Sequence, residues 1–168
     1  MTRKPAAELF RSTEGIKLLL TRTFRAPAED VWECITEPER TARWYGPWEG
    51  DAGLGKTIKV KLVFEEGEPW ADLLIERCEP PHRLDLAMVD EMMTWRLRLS
   101  LTESDGVTEL RFVQDFDTED GIAEIGPGWE WYLDKLGAAI EGGPQPVFED
   151  YFPAMKPYYE QLRPQTGA

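Results

Sequence analysis

The sequence predicts an α+β domain: a curved antiparallel β-sheet wrapped around a long C-terminal α-helix, with two short helices after the first strand. Three observations carry this reading. Residues 16–24 and much of 58–116 alternate apolar with polar side chains and are punctuated by turn residues, the pattern of half-buried strands. Trp129, Tyr132, Leu133, Leu136 and Ile140 recur at three- and four-residue spacing, the pattern of a helix with one apolar face. The 168-residue length suits one domain, and a chain of this size buries roughly 70% of its unfolded surface.

Residues 1–15 mix Lys, Pro, Glu, Ser and Gly without periodicity and are read as a flexible N-terminal arm ahead of a domain spanning 16–141. In the first strand Ile16, Leu18, Leu20 and Phe24 alternate with Lys17, Thr21, Thr23 and Arg25. Pro27 suits the first turn of the helix that follows, where its missing N–H costs nothing, and Glu29 and Asp30 favour the positive end of the helix dipole. Val31, Trp32 and Ile35 give this helix its apolar face. Thr36 and Glu39 stand at capping-box spacing and restart the chain as a second short helix closed by Trp44.

Gly46-Pro47, Gly50 and the stretch from Gly53 to Gly55 then break regular structure. Five strand patterns follow: Ile58 to Phe64, Trp70 to Cys78, Leu84 to Met88, Trp95 to Leu101, and Leu110 to Phe116. Glu66-Gly67, Pro80-Pro81, Asp90-Glu91 and Ser104-Asp105-Gly106 separate them, and such short connections imply an antiparallel meander. The second pattern is ambiguous, because Leu73, Leu74 and Ile75 are consecutive, so either face is buried or a bulge intervenes. The helix from Trp129 ends at Gly142-Gly143, and Pro144 and Pro146 prevent its return. Residues 142–168 read as an aromatic extension, partly helical from Phe148 to Leu162 and interrupted at Pro153 and Pro157, that packs on the domain or mediates a homodimer.

Composition narrows the partners. A net charge of −13 repels phosphate backbones and excludes nucleic acid as the expected partner. No apolar run approaches the ~18 residues of a membrane span, and the N-terminus is too polar for a signal peptide, so no membrane insertion and a cytoplasmic location are expected. Cys34 and Cys78 lie far apart, without a CxxC pair or a neighbouring His, and read as small buried or half-buried residues. No metal and no cofactor is expected.

No catalytic residue is assigned. His82 is the only histidine and stands beside Pro80-Pro81, where an exposed turn side chain is the plain reading. Glu65-Glu66, Glu119-Asp120 and Glu149-Asp150 fall in turns and read as solvated carboxylates. Gly53-Leu54-Gly55-Lys56 lacks the spacing and the Ser or Thr of a phosphate loop.

Several segments resemble a known family. Arg22-Thr23-Phe24-Arg25-Ala26-Pro27, Val31-Trp32, Glu37-Pro38-Glu39-Arg40 and Arg43-Trp44 resemble the opening of the START-like (SRPBCC, Bet v-like helix-grip) superfamily, and within it the activator of heat-shock-protein-90 ATPase homologue family. Pro80-Pro81-His82-Arg83-Leu84 is similar to that family's turn before its central strand, and Gly128-Trp129 with Leu133 and Leu136 to the start of its C-terminal helix. The resemblance covers about residues 16–141 and implies a helix-grip fold with an apolar cavity for lipids, aromatic polyketides or other hydrophobic molecules. Against the co-chaperone, the sequence is read as lacking a separate N-terminal chaperone-binding domain, so chaperone activation is not the leading expectation.

The expected site follows from combining that cavity with the strand pattern. Leu86, Met88, Trp95, Leu97 and Phe112 should face the concave side, with Trp129, Tyr132, Leu133 and Leu136 opposite. Either these side chains stop short and leave a pocket for a small hydrophobic molecule, or they fill the space at native density. Gln114 shares the alternation of Phe112 and Phe116 and is either an inward amide that orients a ligand or a satisfied core amide; Asp72 is read as facing solvent. Met88, Met92 and Met93 flank a hairpin as a flexible rim or as adaptable core filling. A ligand-binding module is the leading expectation. A cyclase or hydrolase using the same cavity, or a chaperone-activator-like interaction module, are the alternatives.

Overall fold

The computed structural model describes residues 5–89 and 94–166. In chain order the elements are β1 (Glu8–Ser12), β2 (Gly15–Phe24), α1 (Ala28–Thr36), α2 (Pro38–Thr41), β3 (Trp48–Glu49), β4 (Thr57–Lys61) and β5 (Trp70–Glu79). They continue with β6 (Arg83–Val89), β7 (Thr94–Ser104), β8 (Val107–Phe116), α3 (Ile122–Glu141), α4 (Lys156–Gln161) and β9 (Gln165–Thr166), a single 3₁₀ turn (Phe148–Asp150) lying between α3 and α4. The described strands form one sheet in the order β3-β4-β5-β6-β7-β8-β2-β1-β9. Every pairing is antiparallel except the short parallel contact of β1 with β9.

Turn chemistry fixes the register. Between β7 and β8 only Asp105 and Gly106 intervene, both at positive φ (52° and 79°), the two-residue geometry whose twist matches paired strands. Leu97, Leu99 and Leu101 thereby stand opposite Gln114, Phe112 and Leu110, and all six are buried. Leu84 and Leu86 of β6 pair Leu99 and Leu97 in turn, so one face of the meander is continuously apolar. The antiparallel sheet wrapped on α3 is the predicted fold.

The ambiguous strand resolves as a bulge. Leu73 and Ile75 are buried while Leu74 is 36% exposed, and the register with β6 shifts between Ile75 and Arg77. Asp72 faces solvent as read, but Cys78, just past the shift, is exposed rather than half-buried. Cys34 is buried on α1.

Other expectations are corrected. Residues 8–12 are not a loose arm, because β2 offers them a pairing edge and Leu9 is buried there. The capping box does not form: Glu37 caps α2, and the Thr36 hydroxyl donates to the Trp32 carbonyl at 2.7 Å. Phe64 lies beyond β4 in the turn before β5. The helix carrying Trp129 begins two turns earlier than its apolar pattern, at Ile122, with Pro127 inside it. Pro157 does not interrupt α4 but occupies its first turn, where a missing N–H is harmless. The Asp90-Glu91 turn, Met92 and Met93 lie outside the described residues.

A buried ionic cluster fastens α3 to the sheet. Arg22 falls on the inward face of β2 and is 4% exposed; its guanidinium donates to Glu130 at 2.6 Å and to Asp134 at 2.9 Å, one helical turn apart on α3. The C-terminal extension completes the set, for Tyr159 donates to Glu130 and Tyr151 to Asp134, each at 2.8 Å. Both carboxylates thus have a cation and a hydroxyl.

Candidate functional site

The concave face is not filled. Two aromatic-walled cavities remain between the sheet and α3, one of about 270 Å³ and one of about 800 Å³. The smaller lies beneath α1, α2 and the turn that follows, against the inward residues of β4 to β8. Its walls have little to offer a polar ligand because the local indole donors are already used: Trp44 donates to the Cys34 carbonyl at 2.8 Å and Trp48 to the Thr36 carbonyl at 2.7 Å. What they present to the space is ring surface.

The larger cavity has more polar, acidic walls. Phe64, Glu65 and Glu66 of the β4–β5 turn cover one side, and Glu124, Trp131 and Tyr132 of α3 stand across from them. The Tyr132 hydroxyl donates to Glu65 at 2.7 Å; burial and that bond to a carboxylate together push its pKa upward. Tyr45 and Trp129 line both cavities, with ring centroids 6.1 Å apart and nearly parallel planes. Their stacked pair is common to the walls of the two spaces.

The expected site residues divide between these spaces and the core. Leu86, Leu97 and Phe112 line the smaller cavity, Met88, Trp95 and Tyr132 the larger, and Trp129 both. Leu133 and Leu136 are fully buried and line neither, since they sit on the part of the α3 face in closest contact with the core. Gln114 also lines neither. Its Oε1 accepts the Trp129 indole N–H at 2.6 Å, fixing that ring, while its Nε2 is buried without a hydrogen-bond partner.

Tyr45, which lines both cavities, and Lys135, which packs behind the rings of the larger one, escaped the sequence reading. Tyr45 lies in a turn, where no period exists to place it. Lys135 had a visible signal, following Trp131 by four residues and Tyr132 by three on one helix face. Its side chain is 2% exposed and its Nζ lies 3.2 Å from the Phe64 ring centroid, 3.7 Å from that of Trp131 and 4.4 Å from that of Tyr132. Burial pulls its pKa down to about 7, and the charge of Glu65 only partly restores it. His82, by contrast, is an exposed turn residue that lines neither cavity. Among the described residues no group of three or more His, Cys, Asp or Glu is placed to hold a metal ion, and no helix is long and apolar enough to cross a membrane.

Comparison with known proteins agrees with this architecture. CalU16 from Micromonospora echinospora has a crystal structure that superposes with a TM-score of 0.77 at 29% identity, covering 96% of this chain and 97% of that one. Its solution structure gives a TM-score of 0.72 at 31% identity, over 93% and 88% of the two chains. DynU16, a protein of the dynemicin biosynthetic locus, shares the fold at 21% identity with a TM-score of 0.67, over 79% of this chain and 50% of that one. The dimeric Aha1 from Colwellia psychrerythraea shares it at 20% identity with a TM-score of 0.64, over 76% and 98%. No curated protein matches the sequence. The family model described as activator of Hsp90 ATPase homolog 1-like protein matches residues 25–141, from the end of β2 through α3, and the chain therefore belongs to that family within the START-like superfamily.

Proposed function

We propose that the protein binds a small hydrophobic, ring-containing molecule between its sheet and α3. The observation that carries this reading is the pair of aromatic-walled cavities that share the stacked rings of Tyr45 and Trp129 as lining. Natural cores close such gaps, because each unfilled volume forfeits dispersion contacts, and pockets of roughly 300–1,000 Å³ are the size that encloses a small ligand. Flat rings suit the site best, since Phe112, Trp129, Tyr45 and Tyr132 offer faces rather than hydrogen bonds. The similarity to CalU16 over nearly the whole of both chains supports a shared architecture for this space.

The test is direct titration. Nile red and anthracene should quench tryptophan fluorescence saturably with one molecule per chain, and native mass spectrometry of the purified protein should show any co-purified ligand as an adduct lost on denaturation. Leu86→Trp, which fills the smaller cavity from its half-buried wall, should weaken anthracene binding about tenfold or more, a loss of about 1.4 kcal/mol. Quenching without saturation, unchanged by this substitution, would sink the proposal.

A further inference from the structure

We propose that Lys135 is a covalent anchor for the ligand: its amine condenses with an aldehyde or ketone carbonyl of a hydrophobic molecule seated in the larger cavity, giving an imine. This deepens the binding function above and rests on it. The first support is geometric. Lys135 is 2% exposed and its Nζ has no hydrogen-bond acceptor, which is rare for a buried amine. The rings of Phe64, Trp131 and Tyr132 that surround it are themselves walls of the larger cavity.

Three carboxylates of this region, Glu65, Asp134 and Glu124, have other bonded partners. Glu65 accepts the Tyr132 hydroxyl at 2.7 Å, Asp134 pairs with Arg22 at 2.9 Å, and Glu124 pairs with Lys156 at 3.3 Å. A lysine kept for structure alone would be expected to pair with one of them or to reach water along its flexible stem. Desolvation, with a pKa near 7, leaves a substantial fraction of the amines as free base at neutral pH, whereas an ordinary solvated lysine is almost wholly protonated. The ring faces hold the remaining ammonium in place by cation–π attraction. Lys135 does not itself line the cavity, so the covalent step requires a ring to move aside, and Phe64, on the turn between β4 and β5 and 36% exposed, is the most exposed of the three that surround Nζ.

The step balances without any further reagent. The Nζ lone pair adds to the carbonyl carbon while the C=O π electrons move to oxygen, forming a carbinolamine. The two hydrogens of the amine then leave with that oxygen as one water, and a C=N bond replaces C=O. Aromatic walls favour a conjugated carbonyl compound and limit the water that would reverse the reaction.

The experiment uses the full chain with 2-naphthaldehyde and sodium cyanoborohydride, which reduces an imine to a stable secondary amine. Intact mass should rise by one naphthylmethyl group, and peptide mapping should place it on Lys135 at least about tenfold faster than on Lys17, Lys56, Lys59, Lys61 or Lys156, as a desolvated, low-pKa amine requires. Phe64→Ala should accelerate that labelling, and Lys135→Arg should abolish it while surface labelling persists. Label spread over surface lysines with Lys135 unmodified overturns the proposal. Binding of 2-naphthylmethanol, read by tryptophan quenching, separates the two failures. If the alcohol binds saturably while Lys135 stays unlabelled, the covalent step alone falls; if it does not bind either, the cavity reading falls with it.

Discussion

Two cations are buried among the described residues, and they are treated oppositely. Burial alone would lower the pKa of Arg22, but Asp134 and Glu130 outweigh that cost and raise it. Lys135 has ring faces in place of bonded carboxylates, so its pKa falls from 10.5 to about 7. The folded chain therefore binds this proton more weakly than the unfolded chain, and between those two values the unfolded state carries more protons. Stability contributed by this group must rise with pH across that window, and the penalty for burying the ammonium is complete below it. Lys135→Met should accordingly melt higher than the parent at about pH 6, with the advantage shrinking toward about pH 10; thermal melts at both ends check it, and a gap independent of pH would mean the amine is solvated. Both cations could be placed from the sequence, since Arg22 keeps step with Leu20 and Phe24 and Lys135 with Trp131. Their partners could not. Phe64 and Glu65 come from a turn some seventy residues earlier, and no local period reports a contact across that distance.

At the scale of elements, α3 shows where local preference yields to packing. Gly126-Pro127-Gly128 is a run of poor helix formers inside it. Still α3 runs through, because α4 lays the Tyr159 ring directly on Gly126: a Cβ there would lie 2.2 Å from Tyr159 Cε1. Gly128 has open space where its Cβ would stand. The two glycines should thus respond with opposite signs. Gly128→Ala should stabilise by about 0.5–1 kcal/mol through helix propensity, whereas Gly126→Ala should destabilise by about 1–3 kcal/mol by displacing Tyr159 from Glu130. Urea unfolding of the pair decides it; equal stabilisation by both would mean that α4 is not seated on α3. Strands β2 and β4 to β8, α1 and the apolar half of α3 were legible because a period of two or 3.6 survives in the sequence. The pairing of residues 8–12 was not, since a short strand of mixed polarity next to the sheet edge takes its structure from its neighbours rather than from its own pattern.

For the molecule as a whole, the segment after Gly143 decides whether the site is a property of the matched domain or of the full chain. The family match ends at residue 141, yet the extension reaches the core at several points: Tyr151 and Tyr159 complete the ionic cluster, Tyr158 donates to the Ala7 carbonyl at 2.9 Å, and β9 pairs β1. It also reaches the larger cavity, where Phe148 forms part of the wall and the Trp131 indole donates to the Pro146 carbonyl at 3.2 Å. Losing it would remove the buried side chains of Tyr151, Met155 and Tyr159, each worth about 1.5–3 kcal/mol, and would strip a hydroxyl from buried Glu130 and half-buried Asp134 at about 1–3 kcal/mol apiece. Those losses together rival the 5–15 kcal/mol that holds a typical domain folded. A chain ending at Gly143 should therefore keep much of its far-ultraviolet signal, lose its near-ultraviolet tryptophan signal, and bind anthracene without saturation. The double substitution Tyr151→Phe, Tyr159→Phe removes only the hydroxyls, and should lower the melting temperature while leaving anthracene binding intact. If the truncated chain melted cooperatively near the parent temperature and still bound, the cavity would belong to residues 16–141 alone, and the aromatic extension would be a separable appendage.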